Sequence, residues 1–363
     1  MISNIDLREL AQMQGNGRDF VSVYFRGTKG LRSLDARERQ LMSMLEEDAG
    51  EYEHFQLSMQ LIRDLLEKHP TETPGVCVFA CAMLDFVRGY PLALEVEPVL
   101  YVGPAPFIRP LAELQDEYHT FALVACDNTD TRIYLVTEER AEVELRVKGG
   151  IKNKVRKGGW SQQRYARRRD GQLLRYGKEV AAALEELMSS RNVTRLVLAG
   201  SPETMREIEN ELRTETAEKI VAREAFDLKG GEDALVEEAY GAYFAQERKE
   251  EKQLWQRIRD EYKRHGLAAV GATAVLEALQ QGRADTLIVT RDAQLKGTSC
   301  RDCQHVAHGT PQNCQKCGAK SVFELDLIDE FNRQAELTGA RVEFSDAIPG
   351  LTKAGHVAAL LRY

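Results

Sequence analysis

The sequence predicts an α/β protein of three successive domains, and three observations point there. Short apolar runs of strand length alternate with longer amphipathic helical patterns along the chain. A cluster of Gly and Pro at 103–110 and a charged stretch at 234–265 interrupt that alternation. The length of 363 residues exceeds what a single hydrophobic core organises. The expected domains are an N-terminal α/β domain over 1–114, a middle domain over 115–248, and a C-terminal α/β/α sandwich over 249–363.

In the first domain Phe20–Phe25 reads as a strand. Leu34–Lys68 reads as one or two helices ended by His69-Pro70, and Gly75–Leu84 and Val99–Val102 as further strands. Gly103-Pro104-Ala105-Pro106 and Pro110 are read as the break that closes the domain. The middle domain opens with three strands in quick succession, Phe121–Cys126, Thr131–Val136 and Ala141–Val147. A glycine loop leads into a helix whose apolar positions, Leu173, Gly177, Val180, Leu184 and Leu187, recur at steps of four and three. Arg195–Ser201 is a buried strand turning into a helix near Pro202, and Ala234–His265 connects to the third domain. There, Ala272–Gln281 and Asp326–Thr338 read as helices and Thr286–Thr290 and Arg341–Phe344 as strands, with Gly355–Leu361 ending the chain.

Composition sets further bounds. With 43% hydrophobic and 29% charged residues the chain is an ordinary globular protein. No apolar run approaches the roughly 20 residues that span a bilayer. Met1–Leu10 carries Asp6 and Glu9 and lacks the apolar core of a secretory signal. Three of the seven cysteines, Cys77, Cys81 and Cys126, fall in apolar strand-like runs. A cytoplasmic protein without membrane association is expected.

The chemistry concentrates in two places. The chain has net charge −8, yet between Arg146 and Lys178 twelve Lys and Arg face the single Asp170. Lys154, Arg156, Lys157, Arg164, Arg167, Arg168 and Arg169 form the dense part of this block, and Gly158-Gly159 lies at its centre. A basic block in an acidic chain marks where a polyanion docks. Glycines there let the backbone approach a partner closely. Arg164, Arg167 and Arg168 share one stripe of the following helix. A solvated charged helix is the bland alternative, which the sign imbalance and the glycines disfavour.

The second place is Cys300-Arg301-Asp302-Cys303, then ten residues, then Cys314-Gln315-Lys316-Cys317-Gly318. Two Cys-x-x-Cys pairs supply the four thiolates that a structural zinc takes tetrahedrally. The insert spans 297–322, with His305 and His308 as bystanders. A redox dithiol would not explain two such pairs. No Ser-His-Asp order, P-loop or dinucleotide fingerprint occurs.

These features resemble the archaeo-eukaryotic class-one peptide release factors and Pelota, in particular their divergent bacterial members. The family loop reads Gly-Gly-Gln-Ser, two variable residues, Arg, an aromatic, Ala and Arg. Gly158-Gly159-Trp160-Ser161-Gln162-Gln163-Arg164-Tyr165-Ala166-Arg167 follows that pattern except at the glutamine. Val197–Ser201, Gly230-Gly231-Glu232, Thr286–Val289 and Leu361-Arg362-Tyr363 are further landmarks, and the cysteine insert is similar to that of archaeal members.

The resemblance implies a decoding-like first domain, a ribonuclease-H-like middle domain, and a third domain like kink-turn-binding ribosomal proteins, with a zinc ribbon. Two departures qualify it. Trp160 stands where the family has its catalytic glutamine, with Gln162 two places on, an arrangement resembling the Vms-type peptidyl-tRNA hydrolases and related release factors. The Asn-Ile-Lys-Ser stop-codon motif has only Gly30-Leu31-Arg32-Ser33 as its counterpart. The later Tyr-x-Cys-x-x-x-Phe motif has only Tyr101-Val102-Gly103 running to Phe107.

The implied function is therefore hydrolysis of peptidyl-tRNA at the peptidyl-transferase centre, in rescue or quality control rather than stop-codon reading. Gly158, Gly159 and Gln162 would be catalytic. Lys154, Arg156, Lys157, Trp160, Arg164 and Arg167–Arg169 would contact large-subunit rRNA in the A site. The protein would act as a monomer, with a translational GTPase as a further partner. The alternative is a non-catalytic A-site binder, a hibernation or Pelota-like rescue factor.

Overall fold

A computed structural model describes residues 5–27, 30–70, 72–117, 120–137, 141–148, 160–191, 193–225 and 231–363. The chain forms two compact units, one of residues 1–117 with 251–363 and one of residues 118–250. Among the described residues, four sheets are distributed between them.

The first unit begins with helix α1 (Leu7–Ala11), capped by Asp6, whose carboxylate accepts the Glu9 N–H at 3.0 Å. Strand β1 (Phe20–Arg26) and a 3₁₀ turn at Leu31–Leu34 precede α2 (Asp35–Leu45) and α3 (Ala49–Lys68). Strands β2 (Gly75–Cys81), β3 (Phe86–Leu92) and β4 (Val99–Gly103) complete an antiparallel sheet of order β3-β2-β1-β4. Alternation splits its strands between two cores. Val21, Val23, Phe25, Val76 and Val78 pack under Leu41, Leu45, Phe55, Met59 and Ile62 of α2 and α3. Tyr24, Cys77 and Phe79 face Leu10, Ile108 and Leu111. The last of these belongs to α4 (Arg109–Glu117), which the sequence reading missed. Pro110 does not break the chain but sits in the first turn of α4, where a missing N–H costs nothing.

The second unit is built on β5 (Phe121–Cys126), β6 (Asp130–Val136) and β7 (Ala141–Lys148), an antiparallel run matching the expected strands. Helix α5 (Trp160–Ser190), β8 (Arg195–Gly200), α6 (Pro202–Glu211), α7 (Thr214–Ala217) and β9 (Ile220–Glu224) follow. The sheet order is β7-β6-β5-β8-β9, with β8 parallel to both β5 and β9. One face packs under Leu173, Tyr176, Val180 and Leu184 of α5 and Met205 and Ile208 of α6. The other packs under Leu235, Ala239 and Tyr243 of α8 (Glu232–Lys263). Gly177 lets α5 and α6 approach: a Cβ there would lie 3.2 Å from the Glu207 carbonyl oxygen. Gly200, at φ 126°, likewise has the Cys126 carbonyl oxygen 2.0 Å from where its Cβ would be.

The remainder of the first unit holds β10 (Ala268–Val270), α9 (Ala272–Gln280) and β11 (Ala284–Thr290). A small sheet of β12 (Lys296–Cys300), β13 (Val306–His308) and β14 (Val322–Asp326) comes next, in the order β13-β12-β14. Then α10 (Leu327–Thr338), β15 (Arg341–Ser345), α11 (Pro349–Lys353) and β16 (Val357–Leu361) close the chain. The main sheet is β10-β16-β11-β15, only the β11–β15 pair being parallel. Leu287, Val289 and Ala359 face α9 and α10, while Ile288, Ala358 and Leu360 face Trp255 and Ile258 of α8 and Leu351 of α11. Helices thus cover both faces.

Buried charge joins the two segments of this unit. The Arg109 guanidinium reaches Glu113 at 2.7 Å, Asp326 at 3.0 Å and the Arg291 and Ala293 carbonyls, and the Arg109 backbone N–H donates to Asp329 at 2.9 Å. Arg333 forms a buried bidentate pair with Glu330 and donates to the Ala11 carbonyl.

Candidate functional site

Lys154, Arg156, Lys157, Gly158 and Gly159 lie outside the described residues. The backbone of α5 starts at Trp160, so Gln162 and Arg164 belong to its opening turns rather than to a loop. Arg167 and Arg168 are exposed. Arg169 is not part of that free stripe. Its guanidinium makes two bonds, of 2.6 and 2.5 Å, to Glu203 in the first turn of α6, and only 13% of its side chain is exposed. This ion pair raises the Arg169 pKa, mainly through the Glu203 hydrogen bonds.

Other cations of the block are also engaged. Arg146 grips Asp130 through bonds of 2.7–3.1 Å, which hold the Asp130 carboxyl below its usual range. Lys178 lies 3.8 Å from Glu211. Tyr176, buried on α5, shares a 2.7 Å bond with Thr131 and donates to the Val147 carbonyl at 3.4 Å. The helix root is therefore fixed to β6, β7 and α6, leaving Arg167, Arg168 and Arg175 as its exposed arginines among the described residues. Sequence reasoning missed Glu203 and Thr131, for which nothing in the linear pattern gives a signal.

The four cysteines come together as expected. The sulfurs of Cys300, Cys303, Cys314 and Cys317 all lie within 4.8 Å of one another. Cys300 and Cys317 are 3.6 Å apart and Cys303 and Cys314 3.5 Å, too far for S–S bonds. The two pairs form matching turns. Gln304 N–H donates to the Cys300 carbonyl at 2.8 Å, and Gly318 N–H to the Cys314 carbonyl at 2.9 Å. Each closing residue has positive φ, 56° at Gln304 and 79° at Gly318. Only the second turn carries a glycine. Gln304 holds the same conformation without one.

Backbone N–H groups aimed at sulfur favour thiolate. Those of Cys317 and Lys316 bring the Cys314 thiol down to about 6. Four convergent sulfurs, three of them with backbone N–H support, suit a tetrahedral thiophilic cation. His308 instead meets Thr273 at 3.3 Å. The other three cysteines are buried in β2 and at the end of β5, where burial raises the Cys77 and Cys126 thiols. No described helix is long and apolar enough to cross a membrane.

Fold and site define a multi-sheet α/β protein carrying a basic helix and a four-cysteine cluster. Residues 106–241 match the model of bacterial archaeo-eukaryotic release factor family 10. Peptide chain release factor subunit 1 of Archaeoglobus fulgidus is 29% identical, covering 98% of this chain and 96% of that protein. Its counterpart from Methanocaldococcus jannaschii is 25% identical with the same coverage. Among solved structures, an archaeal translation termination factor, aRF1, aligns with 98% of this chain and 96% of its own at 16% identity and TM-score 0.26. The Pelota of Archaeoglobus fulgidus aligns over 79% of each chain at 16% identity and TM-score 0.33. Through the family model over residues 106–241 and through these relatives over nearly its whole length, the chain is similar to the archaeo-eukaryotic release factors.

Proposed function

We propose that this protein is a ribosome-associated translation factor that enters the A site and hydrolyses peptidyl-tRNA during rescue or quality control. The observation that carries the reading is its similarity to peptide chain release factor subunit 1 over 98% of the chain. In this reading Gly158 and Gly159 bring backbone N–H donors to the ester carbonyl, and Gln162 orients water. Such preorganised donors act where the oxyanion develops. Glutamine does not titrate, so it serves by position and not as a base. Lys154, Arg156, Lys157, Arg164, Arg167 and Arg168 meet rRNA phosphates and Trp160 a base, while Arg169 holds the helix to α6.

The same reading assigns a structural zinc to Cys300, Cys303, Cys314 and Cys317. Four thiolates would fill its tetrahedron, so the ion would cross-link β12–β14 and leave no open position for chemistry. The strand order and directions of the second unit support a ribonuclease-H-like assignment. Helices on both faces of the β10-β16-β11-β15 sheet support a kink-turn-binding-protein-like third domain. The protein would work in the cytoplasm, delivered by a translational GTPase.

Trp160, standing where relatives carry glutamine, favours a second reading: a non-catalytic, Pelota-like A-site binder. One experiment separates the two. Ribosomes holding labelled peptidyl-tRNA in the P site and a sense codon in the A site are mixed with the protein. Released peptide supports hydrolysis, and binding without release supports the second reading. Failure to bind ribosomes at low salt overturns both.

A further inference from the structure

We propose that Arg301 is a latch through which the metal-held cysteine turn fixes the N-terminus of α3. This rests on the zinc reading of the cluster, and the experiment below tells failure of one from failure of the other.

Arg301 lies between Cys300 and Cys303, so the two sulfur positions define where its backbone sits. Its N–H donates to the Ser321 carbonyl at 2.9 Å, and Asp302 accepts from the Ser321 hydroxyl at 2.8 Å. The guanidinium leaves the turn and reaches residues some 250 positions earlier. One nitrogen meets Asp48 at 2.7 Å and another meets Glu51 at 2.5 Å. Asp48 is the N-cap of α3, its other oxygen accepting the Gly50 and Glu51 N–H groups at 3.1 and 3.2 Å. Arg301 therefore grips the cap itself, and its hydrogen bond is the main cause that lowers the Asp48 carboxyl.

Glu51 is only 5% exposed. A buried carboxylate is costly unless paired. Two groups pair it: Arg301, and Arg18 through its N–H at 3.1 Å and its guanidinium at 3.4 Å. Both guanidinia also lie over the ring of Phe323 on β14, at 5.5 and 5.9 Å from its centroid. Gln304, which closes the same turn, donates to Asn16 at 2.8 Å. Every polar tie from this turn to the first segment thus comes from a residue within or directly after the first Cys-x-x-Cys pair.

Without a metal, four clustered sulfurs lack the cation that holds the turn shut. The turn opens, Arg301 loses its fixed origin, and Glu51 keeps Arg18 alone. The structure thus makes the start of α3 a reporter of metal occupancy.

The test is amide hydrogen exchange on the full chain, with zinc content measured in parallel. Removing zinc with a chelator should speed exchange at Gly50 and Glu51 roughly 10- to 100-fold, the range of one lost charge-assisted bond. Zinc chloride should restore it. In zinc-loaded R301A the same amides should already exchange fast and ignore the chelator. Unchanged exchange on chelation of wild type, or full protection in R301A, overturns the latch. If R301A folds poorly, R301K, which keeps the charge but cannot bridge two carboxylates at once, should give an intermediate value; wild-type behaviour there counts against the latch. Protein that holds no zinc refutes the zinc reading instead, and R301A against wild type still decides whether the arginine fixes the cap.

Discussion

Breaking the Arg169–Glu203 pair should loosen the root of α5 without weakening phosphate contact. The two partners differ in exposure, 13% for the Arg169 side chain and 45% for Glu203, and the buried Arg169 Nε has no partner among the described residues. Glu203→Gln therefore strands a mostly buried cation. A charge-assisted bond of this kind is worth about 1.5–3 kcal/mol, and half-exposure of the carboxylate brings the value toward about 2 kcal/mol. It also removes an acidic group from the first turn of α6, worth about 0.3–1 kcal/mol. Arg169→Gln leaves Glu203 half in water and should cost less, about 1 kcal/mol. With two compact units a single unfolding free energy is ill-defined, so the loss is best read as hydrogen exchange confined to α5 and α6. Ribosome binding supplies the second readout. Arg167→Gln should lower the slope of log affinity against log salt by about 0.7–0.9, as one lost phosphate contact does. Arg169→Gln should leave that slope unchanged. If Arg169→Gln flattens the slope as much as Arg167→Gln, and α5 and α6 exchange as before, the assignment of Arg169 to internal structure is wrong.

Elemental analysis of protein purified without chelator should give one zinc per chain, and Cys303→Ser should lose it. The roughly 10–16 kcal/mol typical of such sites would then be missing from β12–β14, while the sheet of β10, β11, β15 and β16 persists. Gln162→Ala should slow peptide release about 100- to 1000-fold with ribosome affinity unchanged, and Trp160→Ala should cost less; undiminished release by Gln162→Ala would assign the chemistry to the backbone. Burial raises the Asp329 carboxyl well above its usual range, so the folded state keeps a proton that the unfolded chain releases near pH 4. Its contribution to stability therefore falls as pH rises from about 4 toward the folded value. Asp329→Asn, still able to accept the Arg109 N–H, should flatten this dependence and leave stability at pH 7 equal or higher, as unfolding midpoints at pH 4.5 and 7 will show; a marked loss at pH 7 would mean the charged form is the one required.

The elements legible in the sequence are those whose burial is periodic. β1, β5, β6, β8 and β11 are apolar runs because each is covered on both faces, and Leu173 through Leu187 trace the side of α5 that meets the sheet. The four cysteines were legible because ligand spacing is local chemistry. What escaped was decided by partners distant in the chain. α4 hides behind Pro110, whose position in a first turn cannot be told from a break without knowing what Ile108 and Leu111 pack against. β13 is three residues long and exists through pairing with β12. Arg169 sits within an arginine run that reads as uniform, and only Glu203, 34 positions on, singles it out.

The start of α5 also narrows what the basic stretch can do. A helix beginning at Trp160 has the N–H groups of residues 160–162 without intrahelical acceptors. They gather directly after Gly159, where a helix N-terminus favours negative charge. The proposed hydrolysis therefore has two candidate sources of oxyanion stabilisation to separate: these backbone donors and the amide of Gln162. Substitution to alanine keeps the helix and its donors while deleting the amide, so it separates the two sources cleanly. Substitution to proline at the same position removes a donor that the helix itself does not use. Release lost in Gln162→Ala assigns the chemistry to the side chain; release kept in Gln162→Ala but lost in Gln162→Pro assigns it to the helix terminus.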